Sequence, residues 1–129
     1  MLLPFCLDAD QPERVAKALA WIWAGEAYAY PQAADGAWIV AGADGAALVI
    51  HPRGAAEAAD DVALATHLGE AEVLALSARE GWMTVKRSRA GRIQALELWI
   101  ENRFAIEVLT PRMQAAYAAD LAPETRRAA

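Results

Sequence analysis

A single cysteine, Cys6, stands in the 129 residues, so no disulfide can close within the chain and no cysteine cluster can hold zinc. Free cysteine packs well as a small apolar group, and Cys6 is expected as one rather than as a nucleophile. A chain without disulfides fits a reducing compartment, which makes the cytoplasm the expected location. Histidine is nearly as scarce. His51 and His67 show neither HxH nor HExxH spacing, so a metal site built on both would also need Glu107 or an aspartate. Basic charge is in the minority, 12 Lys and Arg against 17 Asp and Glu for a net charge of −5, which argues against a nucleic-acid partner. The opening run Met1-Leu2-Leu3-Pro4-Phe5-Cys6-Leu7-Asp8 has no basic leader and breaks at Pro4 and Asp8, so neither a signal peptide nor a membrane partner is expected. Glycine-rich phosphate loops are missing, and Ser77 and Ser88 lack a nucleophile-elbow context.

What the chain does have is apolar substance. Hydrophobic residues make up 57%, 33 residues of the whole chain being alanine, and the charged fraction is 22%. That composition excludes disorder and collagen-like repeats and suffices for one domain with a real core.

Punctuation divides the chain into elements. The first residues read as a strand, and Asp10-Gln11-Pro12-Glu13 as a helix start, with Asp10 accepting from a backbone N–H and Glu13 reaching back. Val15, Ala18, Leu19 and Ile22 recur at helical spacing to about Ala24, with Gly25 as the stop. Tyr28 and Tyr30 alternate towards Pro31, then Trp38-Ile39-Val40 and Leu48-Val49-Ile50 flank Asp44-Gly45, a hairpin signal. Alanines favour a helix around Ala55–Asp60. Val62-Ala63-Leu64-Ala65-Thr66 either continues it or forms a short strand, and the strand is the expectation. Glu70–Glu80 is a helix with Ala71, Leu74, Ala75 and Ala78 on one face and Val73 and Leu76 at its flanks; Gly81 stops it. A strand over 83–88, a turn at Arg89-Ala90-Gly91 and a strand over 93–101 follow. Asn102-Arg103 separates these from Phe104–Leu109, and Thr110-Pro111 opens a last helix with Met113, Ala116 and Tyr117 on its apolar face. The residues from Pro123 to Ala129 are expected to fray.

Glu107 is the first candidate site residue. A two-residue turn at Asn102-Arg103 would set Leu98 opposite Glu107, placing the carboxylate on a face with Leu96, Leu98, Ile100, Ala105 and Leu109. Burial there would call for a cation, a metal or a hydrogen-bond donor. The opposite face would carry Glu97, Trp99 and Glu101, an acid-and-aromatic patch suited to a cationic or sugar-like ligand. Lys86, Arg87, Arg89 and Arg92 form a basic cluster around one hairpin, with Arg126 and Arg127 in the tail; alternation puts Lys86 and Arg87 on different faces. Five tryptophans exceed what a small core needs, and Trp21 and Trp23 cannot point the same way, so one is available to a homodimer interface.

Val62–Thr66, the helix ending Arg79-Glu80-Gly81-Trp82, and the run Leu98-Trp99-Ile100-Glu101-Asn102-Arg103-Phe104-Ala105-Ile106-Glu107-Val108-Leu109 together resemble one βαβββ module. Such modules characterise the glyoxalase/bleomycin-resistance/dioxygenase (vicinal oxygen chelate) superfamily, and the hairpin at Asp44-Gly45 is similar to the end of a first module. The resemblance implies a pocket between two modules and a late-strand Glu, here Glu107, that in the family often binds a divalent metal. The other positions depart from that pattern: Leu3 and Pro4 stand in the first strand, Asp60 or Asp61 at the fifth, and Val49 two residues before His51 in the fourth.

The expectation is therefore an α+β domain over residues 1–122, with halves of about 1–54 and 55–109 and a C-terminal helix at 110–122. Its two βαβββ-like halves form a curved mixed sheet with helices packed outside. It is read as a small-molecule-binding protein with Glu107, Leu98, Ile100 and Trp99 at the ligand, no cofactor and no standard metal chemistry. A structural or partner-binding homo-oligomer is the second reading. The third is a metal-dependent lyase or dioxygenase-like enzyme using Glu107 with His51 or His67.

Overall fold

Apolar alternation and glycine stops yield two copies of one topology. The computed structural model describes residues 5–31, 35–42, 45–54, 62–89 and 93–121. The first copy runs β1 (Phe5–Ala9), α1 (Pro12–Trp23), β2 (Glu26–Ala29), β3 (Trp38–Ala41) and β4 (Ala47–Pro52). The second runs β5 (Ala63–Ala65), α2 (Glu70–Glu80), β6 (Thr84–Arg89), β7 (Ile93–Ile100) and β8 (Phe104–Leu109), and α3 (Pro111–Leu121) follows. Each copy is a four-stranded sheet, ordered β1-β4-β3-β2 and β5-β8-β7-β6, with one parallel pair and two antiparallel ones. The strand reading of Val62–Thr66 holds. The helix expected over Ala55–Asp60, the Ala90-Gly91 part of its turn and the tail from Pro123 lie outside the described residues.

Both sheets turn one face towards the helices, and a single core fills the space. Leu7, Val40, Leu48 and Ile50 of the first sheet join Leu64, Leu96, Leu98, Ile100, Ile106 and Val108 of the second, with Val15, Leu19 and Ile22 from α1 and Val73 and Leu76 from α2. Helix α1 buries Ala16, Ala18 and Ala20 among those larger side chains, which lets its axis approach all four strands of its sheet. Gly25 serves this close fit rather than the helix stop: Ala24 takes the left-handed cap at φ 55°, and a Cβ on Gly25 would stand 2.1 Å from the Ala41 carbonyl oxygen. Trp23 packs against the core, whereas Trp21 is 61% exposed.

Three local expectations need correction. Asp10 does not cap α1; the N-cap is Gln11, without a side-chain bond, and the Glu101 carboxylate accepts from the Asp10 and Gln11 amides at 2.7 and 2.9 Å. Helix α2 buries Val73, Leu76 and Ser77, while Ala71, Leu74, Ala75 and Ala78 face outwards. Val73 and Leu76 stand one turn apart and concentrate two branched side chains at a single narrow contact, which the spread methyl groups of three alanines cannot match. In α3, Met113 is buried but Ala116 is exposed.

The turn between β7 and β8 is the correction that bears on function. It has three residues, Glu101, Asn102 and Arg103, and Ile100 pairs with Phe104 across it. Glu101 and Asn102 both take left-handed backbone, φ 53° and 56°, and the Asn102 and Arg103 amides bond back to Trp99 and Ile100 carbonyls. One extra turn residue moves every β8 side chain to the other face of the sheet relative to the two-residue expectation. Glu101 and Arg103 then tie the halves together, while Asn102 fastens the turn within its own half. Glu101 holds the start of α1, Asn102 accepts from the Met83 amide at 2.7 Å and donates to the Gly81 carbonyl, and Arg103 donates to Asp8 at 3.2 Å.

Candidate functional site

Register decides which candidates meet. Glu107 lies opposite Glu97 on β7 and beside Ala63 on β5, and Trp99 opposite Ala105. These side chains occupy the helix-free face of the second sheet, together with Arg87, whose Nε bonds Glu97 at 3.0 Å. Leu98 and Ile100 are 0% exposed on the other face, beneath the helices. They do not share a face with Glu107 and Trp99. Trp99, assigned beforehand to the face opposite Glu107, in fact shares its face.

Two carboxylates directly across an antiparallel pair repel each other, so the Glu97–Glu107 position favours positive charge nearby. Arg87 meets that demand at Glu97. Trp99 adds a demand of the other kind, for an acceptor: its Nε1 is enclosed and has no hydrogen-bond partner among the described residues. An enclosed donor without an acceptor costs about 1–3 kcal/mol. The grooves found among the described residues are lined elsewhere, and Glu107 is half-buried on an open sheet face rather than inside a hollow.

The first sheet presents its own polar pair on its helix-free face. His51 is in register with Asp8, and its Nδ1 lies 2.9 Å from Asp35 Oδ2. That bond, with one from the Ala37 amide, holds the Asp35 carboxyl below its ordinary value. Asp8 is held low by the Gly54 amide first, then by the Arg103 guanidinium, against an opposing effect of burial. His67 is exposed near the start of α2, and the structure does not bring it to His51 or Glu107 as a ligand set. Among the described residues no three His, Cys, Asp or Glu side chains are placed to hold a metal ion. The described donors thus fall short of the three protein ligands that a resident divalent ion usually has.

A groove among the described residues was missed from the sequence. It measures about 970 Å³ and lies where α2 and α3 begin, with His67, Glu70, Lys86, Gln94, Arg112 and Met113 among its walls. Lys86 had been assigned to a hairpin cluster and Arg112 had drawn no notice. The available signal was that two strands, each followed closely by a helix, pair in parallel. Lys86 does separate from Arg87, pairing with Glu70 at 3.1 Å on the helix side. Among the described residues no helix is long and apolar enough to cross a membrane.

Comparison with known proteins rests on shape. No family model matches the chain, and no curated protein matches its sequence. Among solved structures, the fosfomycin-resistance protein FosX of Listeria monocytogenes, in complex with Mn(II) and sulfate, aligns with TM-score 0.63 at 13% identity, covering 92% of this chain and 96% of that one. A hypothetical protein of S. aureus aligns with TM-score 0.61 at 12% identity, covering 85% and 96%. An integron cassette protein from the mobile metagenome of V. cholerae aligns with TM-score 0.54 at 15% identity, covering 86% and 96%. The chain has the fold of the FosX proteins, that of the glyoxalase/bleomycin-resistance/vicinal oxygen chelate superfamily, as the module pattern implied.

Proposed function

We propose that this chain binds a small organic molecule bearing a cationic or sugar-like group against the helix-free face of its second sheet, at Trp99 and Glu107 with Glu97 beside them. The observation that carries the reading is the register that puts one tryptophan and two carboxylates on a single open face. A ring face and a carboxylate pair attract a cation, and the same combination stacks and hydrogen-bonds a sugar. A likeness of fold to FosX supports a small-molecule site and leaves the reaction open, because function resides in side chains rather than in the fold. No step through a metal is derived, given the donor set.

A panel of small amines and sugars, followed by tryptophan fluorescence and thermal shift, tests the proposal. Glu107→Gln and Trp99→Phe are each expected to weaken binding about 10-fold, the weight of one charge-assisted or stacking contact. Equal binding by wild type and both variants overturns it. Adding Mn(II) to wild type and to Glu107→Gln tests the metal-dependent alternative, which requires tight binding that the substitution abolishes.

Exposure of Trp21 favours a second reading, a homodimer through the outer face of α1. Light scattering on wild type and Trp21→Ala decides it: a dimer that dissociates in the variant supports the interface, and a monomeric wild type removes it.

A further inference from the structure

We propose that the Trp99 Nε1 donor selects what this sheet face takes: a cyclic amino alcohol of the amino-sugar class. A neutral oxygen of that ligand accepts from Nε1 while its ammonium group meets the carboxylates. The inference rests on the binding reading above and narrows its two ligand chemistries to one molecule that carries both. Its starting point is a polar atom without a partner. Trp99 Nε1 is enclosed and bonds no acceptor among the described residues, although buried donors are normally paired. Two carboxylates belong to the same face, Glu97 two residues before Trp99 on β7 and Glu107 two residues beyond its partner Ala105 on β8. Neither accepts from the indole. Glu97 is held by Arg87 instead, at 3.0 Å.

An acceptor from outside the chain answers this demand, and the geometry of an indole lets it arrive. Trp99 is half-buried, so part of its ring lies open while Nε1 is covered. The torsion that joins the ring to Cβ is broad and roughly two-fold. Turning the ring over exchanges its two edges and brings Nε1 to the open side. A ligand oxygen selects that rotamer by supplying the bond the donor lacks. A site with such a donor then prefers an oxygen-bearing ligand over one of the same shape without it.

Charge decides what kind of oxygen fits. A carboxylate or phosphate oxygen at Nε1 would also face Glu97 and Glu107 and be repelled. A hydroxyl or ring ether oxygen carries no such cost. Indole Nε1 only donates, so the ligand's ammonium group cannot bond there and is left to the carboxylates. Diagonal neighbours across two strands stand roughly 7–8 Å apart. A substituted six-membered ring spans that gap with its amine at one end and an oxygen at the other. Apolar surface for the ring lies alongside. Ala105 is opposite Trp99, and Met83, 51% exposed, takes the Trp99 amide on its carbonyl at 2.8 Å.

Three probes of similar size separate the contributions: glucosamine carries both groups, cyclohexylamine the ammonium alone and glucose the oxygens alone. Each is titrated into the full chain at about pH 6, where both amines are charged, and followed by calorimetry and NMR. Glucosamine is expected to bind about 10-fold more tightly than either of the others, the weight of one hydrogen bond or one charged contact. In the wild type, the Trp99 Nε1 proton moves downfield with glucosamine and glucose and stays in place with cyclohexylamine. That shift reads the donor without any variant. Trp99→Phe keeps a ring face and removes the donor, so the preference for glucosamine over cyclohexylamine falls to about 2-fold or less. Glu107→Gln weakens both amines and leaves their ratio intact. Equal affinities in the wild type, or a preference that survives in Trp99→Phe, overturn the donor's role and leave the binding face standing. Failure of all three probes to saturate at roughly tens of millimolar removes the binding face itself, and this inference with it.

Discussion

The two halves share one topology and differ in how their helices are held. Helix α1 sinks six residues, three of them alanine, into a sheet it approaches along all four strands. Helix α2 buries only Val73, Leu76 and Ser77 and leaves Leu74 41% exposed. Their starts differ in the opposite sense. Helix α2 closes its own first turn through Glu72 on the Gly69 amide, whereas α1 has no side-chain cap of its own and borrows Glu101 from the other half. The deeply packed element is therefore the one whose start depends on a distant turn. Packing fixes where a helix lies, but it does not satisfy the amides at its end.

The largest break in this comparison comes from the cores. Ile22→Ala is expected to cost about 3–4 kcal/mol, because three close-set alanines and four strands leave its surroundings little room to collapse. Leu76→Ala is expected near the lower end of the usual range, about 2 kcal/mol, since α2 stands off its sheet and can settle. Leu74→Ala falls within about 0.5 kcal/mol of wild type. Urea unfolding of the three variants measures the order. Equal losses for Ile22 and Leu76 would erase the contrast, and a large loss for Leu74 would restore the face that the sequence suggested.

The caps sharpen the comparison at smaller scale. Glu101→Ala removes a carboxylate from two amides and is expected to cost about 1–2 kcal/mol; Glu72→Ala, which frees one amide at a longer 3.2 Å, about 0.5 kcal/mol. Hydrogen exchange locates the effect. Glu101→Ala should speed exchange at the start of α1, 90 residues from Glu101 at the Gln11 amide, while Glu72→Ala should act only on α2. If Glu101→Ala acted on the β7–β8 turn alone, the borrowed cap would carry no energy.

What could be read from the sequence follows the range of the forces involved. Helix and strand periods and the Gly81 stop are encoded by near neighbours, and they place the three helices and most strands of the described residues, leaving β2 and β5 open to another reading. The orientation of α2 was not legible by counting apolar positions, because its alanines outnumber but do not outweigh Val73 and Leu76. The face of Glu107 was less legible still. It hangs on whether a turn contains two residues or three, and Glu101, with its Cβ, carries no signature of the left-handed backbone it adopts. What stabilises that conformation lies at Asp10, Gln11 and Asp8, in the other half of the chain. Joining Trp99 and Glu107, and separating both from Leu98 and Ile100, was thus a long-range decision.

The last expected effect concerns pH and reads the same tie between halves from its other end. Asp8 on β1 accepts from the Gly54 amide at 2.9 Å and from Arg103 at 3.2 Å, and these partners hold its carboxyl below the ordinary 3.8. A folded value below the unfolded one means that the carboxylate form is favoured by folding. The stabilisation is fully present above about pH 4 and is lost as pH falls through the lowered folded value. Asp8→Asn is therefore expected to flatten the acid limb of the stability profile below pH 4 while lowering stability at neutral pH by about 1 kcal/mol. Arg103→Gln should flatten it only in part, because the Gly54 amide, the larger influence on Asp8, remains. If Arg103→Gln flattened the limb as fully as Asp8→Asn, the turn rather than the neighbouring strand end would govern this carboxylate. The first half would then depend on the second for its charge as well as for its cap.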